Sequence, residues 1–253
     1  MIRFAIGATA AALLGAVGGA GAAPITLLTE EYAPFASLDK ASGKTVGIAT
    51  DIVNELLARA GVAATPTRLL PWARAMATTI ATPNACLYTT ARTAEREALF
   101  QWIGPIGHSD WVLFARSADK LTLRTLDDAR PYKIGGYIGD ASVAYLKARN
   151  FTLDVASSDR ANPPKLRLRR IDLWAVGRLS GLSLLREMGV GDVEPVFSLI
   201  KADMYLSCHP GMDKADVARL NEVLRMMYRD GTIQAIYTRY GYGKDAPSAE
   251  PGK

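Results

Sequence analysis

Thr89, Thr90, Arg92 and Arg96 stand close together in "CLYTTARTAEREALF", residues 86–100, where an apolar run ends in hydroxyl side chains and two cations follow. Arginines four apart on a helix repel by a few tenths of a kcal/mol. Such a pair is therefore either a solvated surface or a receiver for an anion. A guanidinium can hold a carboxylate through two parallel hydrogen bonds, which supplies both charge and orientation. Arg96, one turn beyond the strand with Thr93 before it as a helix N-cap, is read as that receiver. Arg92 is read as a solvated cation or a partner of Glu95 or Glu97. Thr89 and Thr90 sit at the carboxyl end of the strand, where α/β folds present ligands.

A second cluster, "GYIGDAS", repeats the theme. Gly139 permits a tight turn, and the amides of Asp140, Ala141 and Ser142 at a helix start would face an anion. Asp140 could equally serve only as the N-cap. Trp72 and Tyr32 each follow a strand and could stack on a ligand. Against these, signals for catalysis are few. His108 and His209 have no metal-like spacing to each other or to the cysteines, so no metal is expected. G-x-S-x-G, a P-loop and G-x-G-x-x-G are all missing from the sequence, so no cofactor is expected. Cys86 and Cys208 are the only two cysteines, leaving one possible intramolecular bridge or two buried thiols.

The elements that must position these groups alternate. "ITLL" reads as a buried strand, and "GIATDIVNELLARAG" follows with Ile48, Ile52, Leu56 and Ala60 at helical spacing and Gly61 as a stop. "TRLL" is a short strand, Pro71 opens a helix carrying Trp72, Met76 and Ile80, and "ACLYTT" is the next strand. The expected result is a mostly parallel sheet covered by helices. "DWVLFARS" is extended. Strands at 133–137, "LDVA" and 171–176, with helices at 141–149 and after the paired prolines, make a second βα unit. "EPVFSLIKADMYLSCH" is one long extended return. The chain closes with two helices, the first with Val217, Leu220, Leu224 and Met227 in a stripe that needs the first sheet as partner. The expected division is lobe I at 23–114 plus 203–253 and lobe II at 115–202, joined by a two-stranded hinge with a cleft between.

Composition agrees. The 253 residues suffice for two lobes, and 22% charged residues is ordinary globular usage. A formal charge of +5 spread along the chain suits an anionic small ligand and gives no case for nucleic acid. "MIRFAIGATAAALLGAVGGAGAAP" reads as a secretory signal peptide cleaved after Ala22, so a periplasmic protein is expected.

In this order, "EYAPFASLDKASGKTVGIATDIVNELLARAG", "TARTAEREALFQWIGPI", "KIGGYIGDAS", "RRIDLWAV" and "DGTIQAIYTRYGY" resemble the periplasmic solute-binding proteins of polar amino-acid ABC importers, bacterial extracellular solute-binding family 3. The resemblance spans essentially the whole mature chain. It implies an α/β periplasmic binding protein of type II, a Venus flytrap, that clamps a small polar carboxylate-bearing ligand and delivers it to an ABC permease, with a monomer expected. By position it implies that Arg96 grips the carboxylate, aided by Thr89. Trp72 and Tyr32 form aromatic walls, Glu30 meets a positive end, and Gly139–Ser142 is the second-lobe anion loop. Two departures stand out: Gly177, followed by Arg178, replaces the acidic residue that usually takes an α-ammonium, and Ala91 replaces a small hydroxyl residue. Glu30 or Asp140 could substitute, or the ligand could carry more negative charge, giving Arg92, Arg74 and Arg178 a purpose. The rival expectation is an enzyme on the same scaffold, of the cyclohexadienyl dehydratase type, with Asp140 or Glu30 as its acid.

Overall fold

The computed structural model describes residues 23–247, and the expected signal peptide, residues 1–22, lies outside them. The chain begins with β1 (Thr26–Thr29), the short pair β2 (Ser37–Leu38) and β3 (Thr45–Val46), and α1 (Ile48–Arg59). Next come β4 (Arg68–Leu69), α2 (Trp72–Ala81), β5 (Ala85–Ala91) and β6 (Gln101–His108). It then builds β7 (Trp111–Arg116), β8 (Ile134–Tyr137), α3 (Ala141–Lys147), β9 (Leu153–Ala156), α4 (Asn162–Arg167), β10 (Leu173–Gly177), α5 (Arg178–Glu187) and β11 (Val193–Ile200). It ends with β12 (Asp203–Cys208), α6 (Lys214–Arg229) and α7 (Thr232–Arg239).

Two five-stranded sheets result, in the orders β4-β1-β5-β12-β6 and β11-β7-β10-β8-β9. Neither is mostly parallel. β1 runs parallel to β4 and β5, but β12 is antiparallel to β5 and β6. In the second sheet β8 is parallel to β9 and β10, while β7 is antiparallel to β10 and β11. The physical reason is the double crossing: the strand by which the chain enters the second lobe, β7, and the one by which it returns to the first, β12, both run antiparallel to their neighbours.

The crossings run through Ser109–Asp110 and Lys201–Ala202. β7 pairs within the second sheet, so residues 111–114 belong with that lobe and not, as the sequence suggests, with the first. The long return, residues 193–208, likewise splits into β11 and β12 in different sheets. Ser109 N donates to Ala202 O at 2.7 Å, and His108 Nδ1 lies 2.5 Å from Asp203 Oδ1, so the two crossings are tied side by side.

α6 docks its stripe where the pattern requires. Leu220, Leu224 and Met227 are buried in the core of the first lobe with Ile52, Leu56, Ile103 and Leu206, and Val217 packs at its edge. Full burial of each such side chain contributes about 1.5–3 kcal/mol. Cys86 and Cys208 face each other across the β5–β12 pairing and form a disulfide.

Candidate functional site

Between the lobes lies a cavity of about 510 Å³ whose wall draws on both, within the range that encloses small solutes. The first lobe supplies Glu30 and Tyr32 from the loop after β1, and Trp72 from the start of α2. The second supplies Tyr137 at the end of β8, Asp159 after β9 and Ser180 in the first turn of α5.

Several contacts draw the lobes together around it. Tyr137 donates its hydroxyl hydrogen to Glu30 Oε1 at 2.7 Å. Trp72 Nε1 and Arg96 Nη2 both donate to the Gly139 carbonyl, each at 2.8 Å. Arg178 Nη2 meets Asp245 Oδ1 at 2.5 Å. Tyr32 Oη lies 2.9 Å from Ser109 Oγ in the first crossing.

Arg96 is buried, 8% exposed, immediately behind Trp72, whose ring centre lies 5.3 Å from its guanidinium carbon. Its Nη1 donates to Ala91 O at 3.1 Å, so one arm is anchored in its own lobe and the other reaches across. Burial lowers its pKa while Asp140, Tyr137 and Glu30 oppose that; an arginine stays charged through such a change. No helix follows Thr93. A single 3₁₀ turn at Glu97–Leu99 does, with Arg96 before it, so the two arginines are not stacked on a helix face. Arg92 instead turns outward and pairs with Glu97 through Nε at 2.8 Å and Nη2 at 2.5 Å.

The site residues expected from the sequence divide. Glu30, Tyr32 and Trp72 line the cavity, and Arg96 and Gly139 sit behind Trp72. Thr89, Thr90, Arg96, Gly139, Asp140, Ala141 and Ser142 do not line this cavity. Thr90 Oγ1 donates to Leu87 O at 3.2 Å and lies 2.8 Å from Ser207 Oγ, inside the first sheet. Thr89 Oγ1 donates to Tyr88 O at 2.5 Å, at a residue whose φ is +66°. In the loop expected to receive an anion, Asp140 Oδ1 itself accepts from Ser142 N at 2.8 Å and Val143 N at 3.4 Å. The start of α3 is thus satisfied by its own cap, and Ala141 and Ser142 are buried.

Gly177 has a steric explanation. A Cβ there would collide with Tyr32 Oη and Ser109 Oγ, so no acidic side chain fits while the lobes meet this way. Arg178, beside it, is taken by Asp245.

Tyr137, Asp159 and Ser180 are functional candidates that the sequence alone does not single out. The rule that points to Thr89 and Thr90 applies equally to "SSDR" after β9, since both follow the carboxyl end of a parallel strand. Asp159 Oδ1 accepts from Trp174 Nε1 at 2.8 Å and Asn162 Nδ2 at 3.0 Å. Burial pushes its carboxyl up to about 7 against those bonds, with Asp140 adding to the rise. Burial also raises Glu30 well above the ordinary carboxylate range. The Tyr137 hydroxyl opposes that, and Asp140 and Asp159 reinforce it. Both residues are half-buried and line the cavity.

Two α/β lobes joined by two crossings, with a walled cavity between them, define a hinged receptor for small solutes. The chain belongs to the bacterial extracellular solute-binding proteins, family 3, whose pattern it matches over residues 25–243. It is 24% identical over 220 residues to the L-cystine-binding protein TcyJ of Escherichia coli strain K12, across 85% of this chain and 80% of that protein. The fold is shared with a histidine kinase sensor domain described as similar to periplasmic binding proteins: TM-score 0.79, 19% identity, 86% of this chain and 95% of that one. It is shared too with an ABC uptake transporter substrate-binding protein of Streptococcus pneumoniae with bound histidine: TM-score 0.77, 19% identity, 88% of this chain and 94% of that one. The protein is a solute-binding protein with a Venus-flytrap fold, and its relatives of this family are binding proteins rather than enzymes.

Proposed function

We propose that the protein captures a small polar solute bearing a carboxylate, an amino acid or close relative, by hinge closure, and delivers it to an ABC permease. We place it outside the cytoplasmic membrane as a monomer exported by its leader, residues 1–22. The observation that carries the reading is Arg96, a buried cation off the cavity wall but beside its lining residue Trp72, holding the carbonyl of Gly139 from the opposite lobe. A solute carboxylate offers the same guanidinium arm a charged acceptor, and charge-assisted bonds of this kind are about twice as strong as neutral ones. In this mechanism the closed state is favoured because it alone lets one solute touch both walls. Trp72 and Tyr32 then enclose its apolar part.

The relatives support the amino-acid class: the Escherichia coli protein is an L-cystine-binding protein, and the pneumococcal structure holds histidine. An enzyme on this scaffold would need an acid in the cleft, and the sequence points to Asp140 or Glu30 for that role. Asp140 is occupied as the α3 cap, and Glu30 is bonded to Tyr137.

A thermal-shift screen of amino acids, dicarboxylates and polyamines tests the reading, because a ligand that binds only the native state raises the melting temperature. At least one carboxylate solute is expected to raise it, and Arg96→Ala is expected to abolish that rise while circular dichroism stays native. A variant that responds like the wild type removes Arg96 from the site.

A further inference from the structure

The start of α5 runs against the usual charge logic of a helix. Its N-cap, Gly177, has no side chain to bond the first amides, its first residue is Arg178, and its first turn holds no acid. A cation there faces the positive end of the helix dipole, which is unfavourable. The compensation comes from the other lobe. Arg178 Nη2 meets Asp245 Oδ1 at 2.5 Å, and Asp245 ends the 3₁₀ turn Gly243–Asp245 that follows α7.

That turn is a fixed anchor on the first lobe. Asp245 N donates to Tyr242 O at 2.9 Å, and Gln234 Nε2 donates to Gly243 O at 2.8 Å. Tyr242 and Ala246 pack on the core of the first lobe. Leu179, next to Arg178, packs on that same core, although Leu182 and Leu185 of its helix pack on the core of the second lobe. The first turn of a second-lobe helix is thus docked on the first lobe by an ion pair and an apolar contact. Arg178, Leu179 and Asp245 do not line the cavity, but the same helix does, through Ser180, Leu184 and Glu187 at i, i+4 and i+7 on one face.

We infer that Arg178, Leu179 and Asp245 form a clasp outside the solute cavity that holds α5 in its shut position and so sets solute affinity from a distance. The effect on affinity rests on the cleft being the solute site; the hold on the lobes does not. α5 moves with the second lobe, so opening about the two crossings carries Arg178 off Asp245 and Leu179 off the core. Open, Arg178 faces its own helix dipole without compensation; shut, Asp245 neutralises it. Where one solute must touch both walls, apparent affinity scales with the fraction of molecules already shut. Both members of the pair are half-buried, and ion pairs of that exposure contribute modestly. The clasp therefore tunes closure and leaves the cleft able to open. It also gives the charge of Arg178 a use other than an anionic solute.

Small-angle X-ray scattering of the solute-free mature chain reads the lobes directly, and isothermal titration with L-glutamine, L-glutamate and L-arginine reads affinity. Arg178→Gln and Asp245→Asn are each expected to raise the radius of gyration above the wild-type value. They are expected to weaken whichever of the three solutes the wild type binds by about two- to fivefold. The double variant Arg178→Asp/Asp245→Arg reverses the pair at the same reach and is expected to return both quantities to wild type. A merely structural role would instead lower the melting temperature and leave the radius of gyration of the folded chain unchanged. Should a charge variant fail to fold, Leu179→Ala carries the comparison, with the same opening expected. Folded variants as compact and as tight-binding as wild type, or a reversed pair that stays open, overturn the clasp and leave solute binding standing. Silence from every solute, here and in the thermal screen, overturns solute capture, while the scattering still decides the clasp.

Discussion

Asp159→Asn isolates the acidic wall from the rest of the protein. The wild-type carboxyl rises from an ordinary 3.8 to about 7 on folding, chiefly through burial. Every tenfold change in proton affinity corresponds to about 1.4 kcal/mol, so a rise of this size sets a ceiling of about 4 kcal/mol. Water reaching the group through the cavity reduces this to about 2 kcal/mol, as the higher effective dielectric of real sites requires. The sign follows from proton binding. Between about pH 4 and 7 the folded chain holds more protons than the unfolded one, so its stability falls as pH rises through that window. Below about pH 4 the group is protonated in both states and costs nothing; above about pH 7 the full cost is present. Asparagine can keep the bonds from Trp174 and Asn162 on its Oδ1 and carries no charge. Thermal melts without solute at pH 4 and pH 8 read the effect. The melting temperature of the variant should gain on the wild type by about 4–8 °C between the two, at about 2–4 °C per kcal/mol for a chain of this size. Any constant offset, and most of the contribution of Glu30, cancel in that difference. A gap between variant and wild type that stays constant from pH 4 to pH 8 refutes the reasoning.

Two further substitutions probe the frame. Gly177→Asp should disrupt closure, because its Cβ would collide with Tyr32 and Ser109 across the cleft; solute affinity should fall at least tenfold in titration while the melting temperature without solute changes by a few degrees. Cys86→Ser/Cys208→Ser removes a bridge spanning 122 residues and should lower unfolding free energy by about 4–5 kcal/mol in urea denaturation; the denatured, unreduced wild type should show no titratable thiol.

Much of this architecture is legible in the sequence because periodicity reports burial. α6 announces its docking face through Leu220, Leu224 and Met227, and the glycine and proline punctuation separates the βα units. The crossings are harder to read. Trp111–Arg116 is buried along its whole length and follows β6 with only Ser109–Asp110 between, so nothing in its pattern says which sheet it joins; that is settled by pairing with β10 and β11. At the cavity, aromatic residues next to strand ends are visible, as Trp72 and Tyr32 illustrate. Hydroxyl groups are ambiguous, because the same threonine can serve a ligand or its own sheet, and Thr90 serves its sheet. Asp159 hides in a serine-rich turn that reads as a helix cap. Its importance comes from folding it against Trp174 and toward Glu30, which are 15 and 129 residues away in the chain.

Amide hydrogen exchange, with and without the strongest solute from the thermal screen, tests the clamp most directly. The account predicts slowed exchange on both walls at once, around residues 30–33 and 69–73 in the first lobe and around 138–143, 157–160 and 179–184 in the second. Protection confined to one lobe, or falling on surfaces away from the cleft, would contradict it.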